Sequence, residues 1–389
     1  MSGLAAALGE RRRRQLYRER ATLEGPQGVE VRIDGRQYLS FCSNDYLGLA
    51  AHPELVAAFK QGAERFGVGS GAAHLLSGHS YAHQALEEDL AAYVNRPRAL
   101  LFSTGYMANL GVLCALTARG DSVLQDRLNH ASLLDAARLS GAKLLRYRHL
   151  DIESVTRRLT QTAGGTTLIA TDGVFSMDGD RAPLGALAGA AAEHAAWLLV
   201  DDAHGFGVWG REGAGWCVEQ LPEPEERVIL MATLGKALGT FGAFVAGSEA
   251  LVETLIQHAR SFIYTTAPPP ALAWATRTAL RLARDGEHLR ARLTRLIQCL
   301  RQGADQLDLP LLPSATPIQP LLVGGSGAAL RLSEALRRRG ILVPAIRPPT
   351  VPQGAARLRI TLSAVHSEAQ LARLLDALAA SYGEACAAH

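Results

Sequence analysis

From about Ala99 onward, short apolar runs alternate with stretches in which alanine and leucine recur at helical spacing. The runs Ala99–Phe102, Ser122–Gln125, Leu144–Tyr147, Thr167–Thr171, Trp197–Asp201, Val228–Met231 and Ala243–Ala246 have the length and β-rich character of buried strands. Between them, Ser132–Leu139 and Leu184–His194 read as helices, and earlier Leu86, Leu90 and Val94 mark one face of an amphipathic helix. Such alternation predicts an α/β fold, a mostly parallel mixed sheet with helices on both faces.

Pro268-Pro269-Pro270 ends the alternation. A long helical region rich in arginine and leucine follows, from Ala271 to about Leu307. The apolar run Gln319–Val323, a helix at Ala328–Arg339, a strand at Arg357–Thr361 and a last helix from about Ser367 to Tyr382 complete a smaller C-terminal α+β domain. The expected division is an N-terminal helical arm over residues 1–45, a large domain over 46–280 and a small one over 281–389. A length of 389 residues suits two domains, because single cores rarely grow past about 250–300 residues.

Composition narrows the class. A net charge of +3 is small for this length and argues against nucleic acid as a partner. Five scattered cysteines without a CxxC pair fit free thiols in a reducing cytosol, so a cytoplasmic location is expected. No apolar run reaches the roughly 18 residues of a membrane span. The arginine-rich start, Arg11–Arg14, is interrupted by Glu10 and Glu19 and reads as a solvated helix rather than a targeting signal.

The ends of the predicted strands carry the chemistry. Lys236 follows one of them in Thr233-Leu234-Gly235-Lys236, and Asp201-Asp202-Ala203-His204 closes another. In an open α/β sheet, ligands bind where strand ends and the turns after them converge. A lysine and an aspartate so placed are the pair pyridoxal phosphate needs, the amine to hold its aldehyde and the carboxylate to keep its ring nitrogen protonated. Ser103-Thr104-Gly105-Tyr106 opens a helix, where backbone amides can meet a phosphate. Asn129-His130-Ala131-Ser132 offers a flat imidazole that could stack on a ring, and Ser176 a hydroxyl in an acidic loop. Singly these residues read as an ordinary turn, a helix cap and a loop serine. Five successive strand ends carrying ligand-type residues make a site. Two acids and His204 could suggest a metal, but no second His, Cys or Glu cluster stands at ligand spacing, so no metal is expected.

From about Arg18 to His366 the chain resembles the α-oxoamine synthases among the fold-type I pyridoxal phosphate enzymes. Ser43-Asn44-Asp45-Tyr46-Leu47-Gly48-Leu49, Gly69-Ser70-Gly71, His83-Gln84-Ala85-Leu86-Glu87 and the motifs above carry the resemblance. Ile346-Arg347-Pro348-Pro349-Thr350-Val351-Pro352 favours the member that condenses L-alanine with a pimeloyl thioester, on coenzyme A (pimeloyl-CoA) or acyl carrier protein (pimeloyl-ACP).

The resemblance implies that Lys236 holds the cofactor and shuttles a proton, Asp201 pairs with the pyridine nitrogen, His204 with the ring hydroxyl, and His130 stacks on the ring. Gly105, Tyr106, Ser176 and Thr233 would line the cofactor, with Thr265 and Thr266 of a homodimer partner completing the phosphate site. Arg347, with Asn44 nearby, would bind the amino-acid carboxylate; Arg18 and Thr350 would contact the acyl substrate, and His130 would also touch substrate. Two positions depart from the family: Asp172 stands where relatives usually have glutamate, and His74 where several carry arginine. Competing readings are a family member using glycine or serine, an aminotransferase, and a silent scaffold subunit. Lys236 argues against the last.

Overall fold

Seven apolar runs become one sheet, because strands buried on both faces satisfy their backbone only through their neighbours. In the computed structural model, which describes residues 2–162 and 164–387, the strands are β1 (Arg98–Phe102), β2 (Ser122–Asp126), β3 (Lys143–Tyr147), β4 (Thr167–Asp172), β5 (Trp197–Asp201), β6 (Val228–Thr233) and β7 (Ala243–Gly247). Their order is β1-β7-β6-β5-β4-β2-β3. Only β7 runs against its neighbours, so the carboxyl ends of β1, β2, β4, β5 and β6 share one edge. Leu168, Leu199, Ile229, Met231 and Val245 lie in the sheet's apolar core with Ala108, Val112 and Leu133 from flanking helices.

This sheet belongs to a compact unit formed by Leu49–Ser176 and Arg181–Glu287. A second unit takes the N-terminal segment to Gly48, Met177–Asp180 and the chain from His288. It contains two three-stranded sheets. In one, Glu30–Ile33 and Arg36–Ser40 pair antiparallel, and Ile341–Leu342 adds parallel to the latter. The hairpin turns at Asp34-Gly35, both at positive φ (50° and 72°), the backbone that two-residue hairpin turns require. In the other sheet Ala356–Thr361 lies between Ile318–Gly324 and Ala345–Ile346.

The N-terminal helix, Ser2–Arg13, is shorter than the arginine-rich stretch suggests; the chain leaves it at Gln15, whose φ is 56°. The long helical region after the prolines is two helices, Pro270–Arg284 and Glu287–Gln306, broken at Asp285-Gly286. Among the described residues no helix is long and apolar enough to cross a membrane.

Candidate active site

The shared edge of the sheet closes around a cavity of about 130 Å³. Gly105 and Tyr106 line it from beyond β1, His130 and Ser132 from beyond β2, Asp172 and Ser176 from β4, Asp201 and His204 from β5, and Thr233 and Lys236 from β6. All eight residues expected there within one subunit are therefore together: Lys236, Asp201, His130, His204, Gly105, Tyr106, Ser176 and Thr233. Thr265 and Thr266 do not line it. They sit on a segment held to the Ala72-Ala73 backbone, through a bridge from Ala73 to Thr266 and the bond from Ala267 N to the Ala72 carbonyl at 3.0 Å.

Each side chain is held by its local structure. Helix Gly105–Leu116 is capped by Thr104, whose Oγ1 accepts from Met107 N at 3.2 Å. The first amides of a helix have no intrahelical acceptor and are left to a ligand. A Cβ at Gly105 would lie 2.7 Å from Thr233 Cγ2, so only glycine fits against the cavity wall there. Asp201 is buried, and its carboxylate is fixed by the Asn109 amide (2.8 Å) and the Ala203 N–H (3.2 Å). Asn109 is itself anchored, donating to Ser132 Oγ at 2.8 Å. His130 caps helix Ala131–Ser140 through Nδ1, which accepts from Ser132 N at 3.3 Å.

Asp172 has a definite task despite its shorter reach: both carboxyl oxygens accept from the His130 backbone N–H at 3.2 Å, anchoring the loop that carries the imidazole. It stands opposite Asp201 in the β4–β5 register. Burial, then the negative charge of Asp201, holds its carboxyl well above the usual carboxylate range.

Asp202 is fully buried beside the site. A Cβ at Gly205 or at Gly215 would collide with its carboxyl. Oδ2 accepts from Cys217 N at 2.9 Å, while Oδ1 has no partner. Burial first, with Asp201 adding to it, pushes its pKa up to about 8. Because the folded value lies above the ordinary one, the associated stability is complete below the ordinary carboxylate pKa and lost as pH rises through about 8. Thermal melts of the cofactor-saturated protein should therefore fall from about pH 4 to about pH 8 and level off above it, and Asp202→Asn, which has no proton to lose, should flatten the decline. Parallel curves for the two proteins would contradict this.

The expected substrate residues other than His130 (Arg18, Asn44, Arg347 and Thr350) lie in the other unit. Arg18 Nη2 donates to Thr350 Oγ1 at 3.4 Å, and both line, with Arg347, a cavity of about 80 Å³. Arg347 donates to the carbonyls of Gln15 and of Tyr17, the latter at 3.3 Å. Burial, and then the neighbouring Arg18 charge, lower its pKa. Asn44 has two side-chain partners that the sequence did not name. Its Oδ1 accepts from Arg359 Nη1 at 3.1 Å and from Tyr46 OH at 3.4 Å. Arg359 is buried and was not singled out from sequence; an arginine inside the apolar strand Ala356–Thr361 is the signal that could have found it.

The comparisons with known proteins show the family. Residues 36–378 match the family model for aminotransferase class I and II. The 8-amino-7-oxononanoate synthase of Nitrosococcus oceani is 62% identical over 95% of this chain and 98% of its own length. The Pseudomonas putida protein of the same name is 60% identical over 97% of each. The chain belongs to the 8-amino-7-oxononanoate synthases. A serine palmitoyltransferase of Sphingomonas wittichii superposes with a TM-score of 0.93 at 29% identity, covering 99% of this chain and 98% of that one. The 8-amino-7-oxononanoate synthase of Francisella tularensis does so at 0.77 and 33%, covering 89% and 98%.

The family is pyridoxal phosphate-dependent, and the cavity fits that group. A cation-stabilising carboxylate (Asp201), an amine (Lys236), a planar imidazole (His130) and a glycine-cleared helix start (Gly105) are the donors and acceptors it requires.

Proposed function

We propose that this chain condenses L-alanine with a pimeloyl thioester, releasing carbon dioxide and free thiol and giving 8-amino-7-oxononanoate for biotin biosynthesis. The observation that carries the reading is the convergence of Lys236, Asp201, His130 and His204 at one sheet edge, against the Gly105 helix start. Pyridoxal phosphate, when bound, supplies an electron sink for the electrons left at the amino-acid Cα and for those released with carbon dioxide. Lys236 holds the cofactor, and its Nζ takes and returns the Cα proton. Asp201, kept in place by Asn109 and Ala203, holds the proton on the ring nitrogen. His130 stacks on the ring and excludes water, and His204 positions the ring hydroxyl. Gly105, Tyr106, Ser176 and Thr233 surround the cofactor, and in a homodimer Thr265 and Thr266 of the second copy complete the phosphate site.

For the substrates, the pair of buried Arg359 and half-buried Asn44 supports a role in binding the alanine carboxylate, in place of Arg347. Arg347 and Arg18, two guanidiniums with Thr350 on one small cavity, suit the distal carboxylate of the pimeloyl chain. Arg359→Gln should then raise KM for alanine about 10–100-fold with little change in KM for the thioester, and Arg347→Gln should do the reverse. The opposite split would exchange the two assignments. The acyl carrier is coenzyme A or an acyl carrier protein, and the enzyme works in the cytoplasm.

Product mass and thiol release, followed together across alanine, glycine and serine with pimeloyl- and acetyl-coenzyme A, test the reading. Amino-ketone formation confined to alanine and the pimeloyl thioester supports it. Turnover of glycine with acetyl-coenzyme A would move the chain's activity to a different α-oxoamine synthesis.

A further inference from the structure

His74, His79 and His83, spaced His-x4-His-x3-His, lie outside the cavity just described. Sequence spacing alone did not mark them, because they straddle a change of backbone. His74 opens a single π-turn, His74–Gly78, while His83 lies in the first turn of helix Tyr81–Tyr93. The turn and the helix start fold the three rings together, with ligand-capable atoms within 4.8 Å of one another.

We propose that these three imidazoles form a binding site for a borderline divalent transition-metal ion of the zinc class, with its remaining position open to water. The ring spacing supports it. With metal–nitrogen bonds of about 2.0–2.1 Å, three imidazoles around a tetrahedral ion place their ring centres about 5.2 Å apart. The centres here are 5.1 Å (His74–His79), 5.1 Å (His74–His83) and 5.7 Å (His79–His83) apart.

The hydrogen bonding leaves a place for the ion. His74 Nδ1 and His79 Nδ1 face each other at 2.9 Å, so one proton lies between two ring nitrogens. His79 Nε2, 3.3 Å from Gln84 Oε1, makes Nδ1 the lone pair on that ring. His74 is buried, stacked on Phe262 at 5.0 Å, and its Nε2 has no partner. Moving the shared proton to that Nε2 turns both facing Nδ1 atoms towards an ion with no change in charge.

His83 is the ligand that must release a partner. Its Nδ1 accepts from Ser80 N at 3.0 Å, and its Nε2 lies 2.8 Å from the Pro268 carbonyl. His79 is exposed and gives the ion its entry path. An all-imidazole set favours zinc, cobalt, nickel or copper over magnesium or calcium, which take oxygen ligands.

The test uses untagged, cofactor-loaded protein titrated with Co2+ as the spectroscopic probe, then with Zn2+ in competition. The expected result is one equivalent of Co2+ with the visible d–d bands of a tetrahedral site, displaced by Zn2+. Exposed His79→Gln leaves the fold intact and should weaken binding about 10–100-fold, as should His74→Gln. No Co2+ uptake by the parent protein would overturn the proposal. So would uptake unchanged in both variants, or a thiolate-to-metal band placing the ion on one of the five free cysteines.

Discussion

Lys236→Ala is expected to fold normally and lose turnover about a thousandfold or more. The residue is half-buried in the turn after β6, and backbone hydrogen bonds hold that turn. Gly239 N donates to the Lys236 carbonyl at 2.9 Å and Thr240 N to the Leu234 carbonyl at 3.0 Å, neither of which alanine disturbs. Truncation therefore removes an amine and leaves the geometry. On the proposed roles it deletes both the attachment of the cofactor and the base that moves the Cα proton. Circular dichroism and kcat measured on the same preparation check this. Multiple turnover within tenfold of the parent would take the lysine out of the chemistry.

The second large effect is at Asp201. Asp201→Asn keeps the size of the side chain and should still bind cofactor, yet kcat should fall about 10²–10³-fold, the range seen when one preorganised electrostatic contact is removed. The reason is charge. Asn109 and the Ala203 N–H supply two hydrogen bonds to a carboxylate that, on the proposed role, faces a protonated ring nitrogen. An amide there keeps the contact and cannot hold the proton. Its NH2 group would also meet the Asn109 NH2 unless that side chain turns. Cofactor absorbance at saturation, measured beside kcat, separates the outcomes. A near-normal rate would mean that Asp201 does not face the ring nitrogen.

The large unit was legible because its strands are apolar on both faces. Trp197–Asp201 has the same limits in sequence and structure, and the other six strands differ at their ends by no more than two residues. Five site segments were readable for the same reason: they begin where an apolar run stops, and parallel neighbours bring those stops to one edge. The small unit was harder. Glu30–Ile33 and Arg36–Ser40 are short, partly exposed strands whose clearest signal is the Asp34-Gly35 turn, and neither looks like a core strand. The Asn44–Arg359 pair joins residues 315 apart in sequence, so no local pattern announces it. The histidine cluster escaped because a π-turn has no sequence period of its own, and His-x4-His-x3-His becomes a triangle only once that turn is made.

Three lysines stand in the whole chain, Lys60, Lys143 and Lys236. That makes one measurement decisive for the claim that the sheet-edge cavity is the cofactor site: borohydride reduction of the yellow protein, proteolysis and peptide mass mapping. A single pyridoxyl-phosphate adduct on Lys236, with bleaching of the absorbance, is the result predicted here. An adduct on Lys60 or Lys143 with Lys236 unmodified would contradict it.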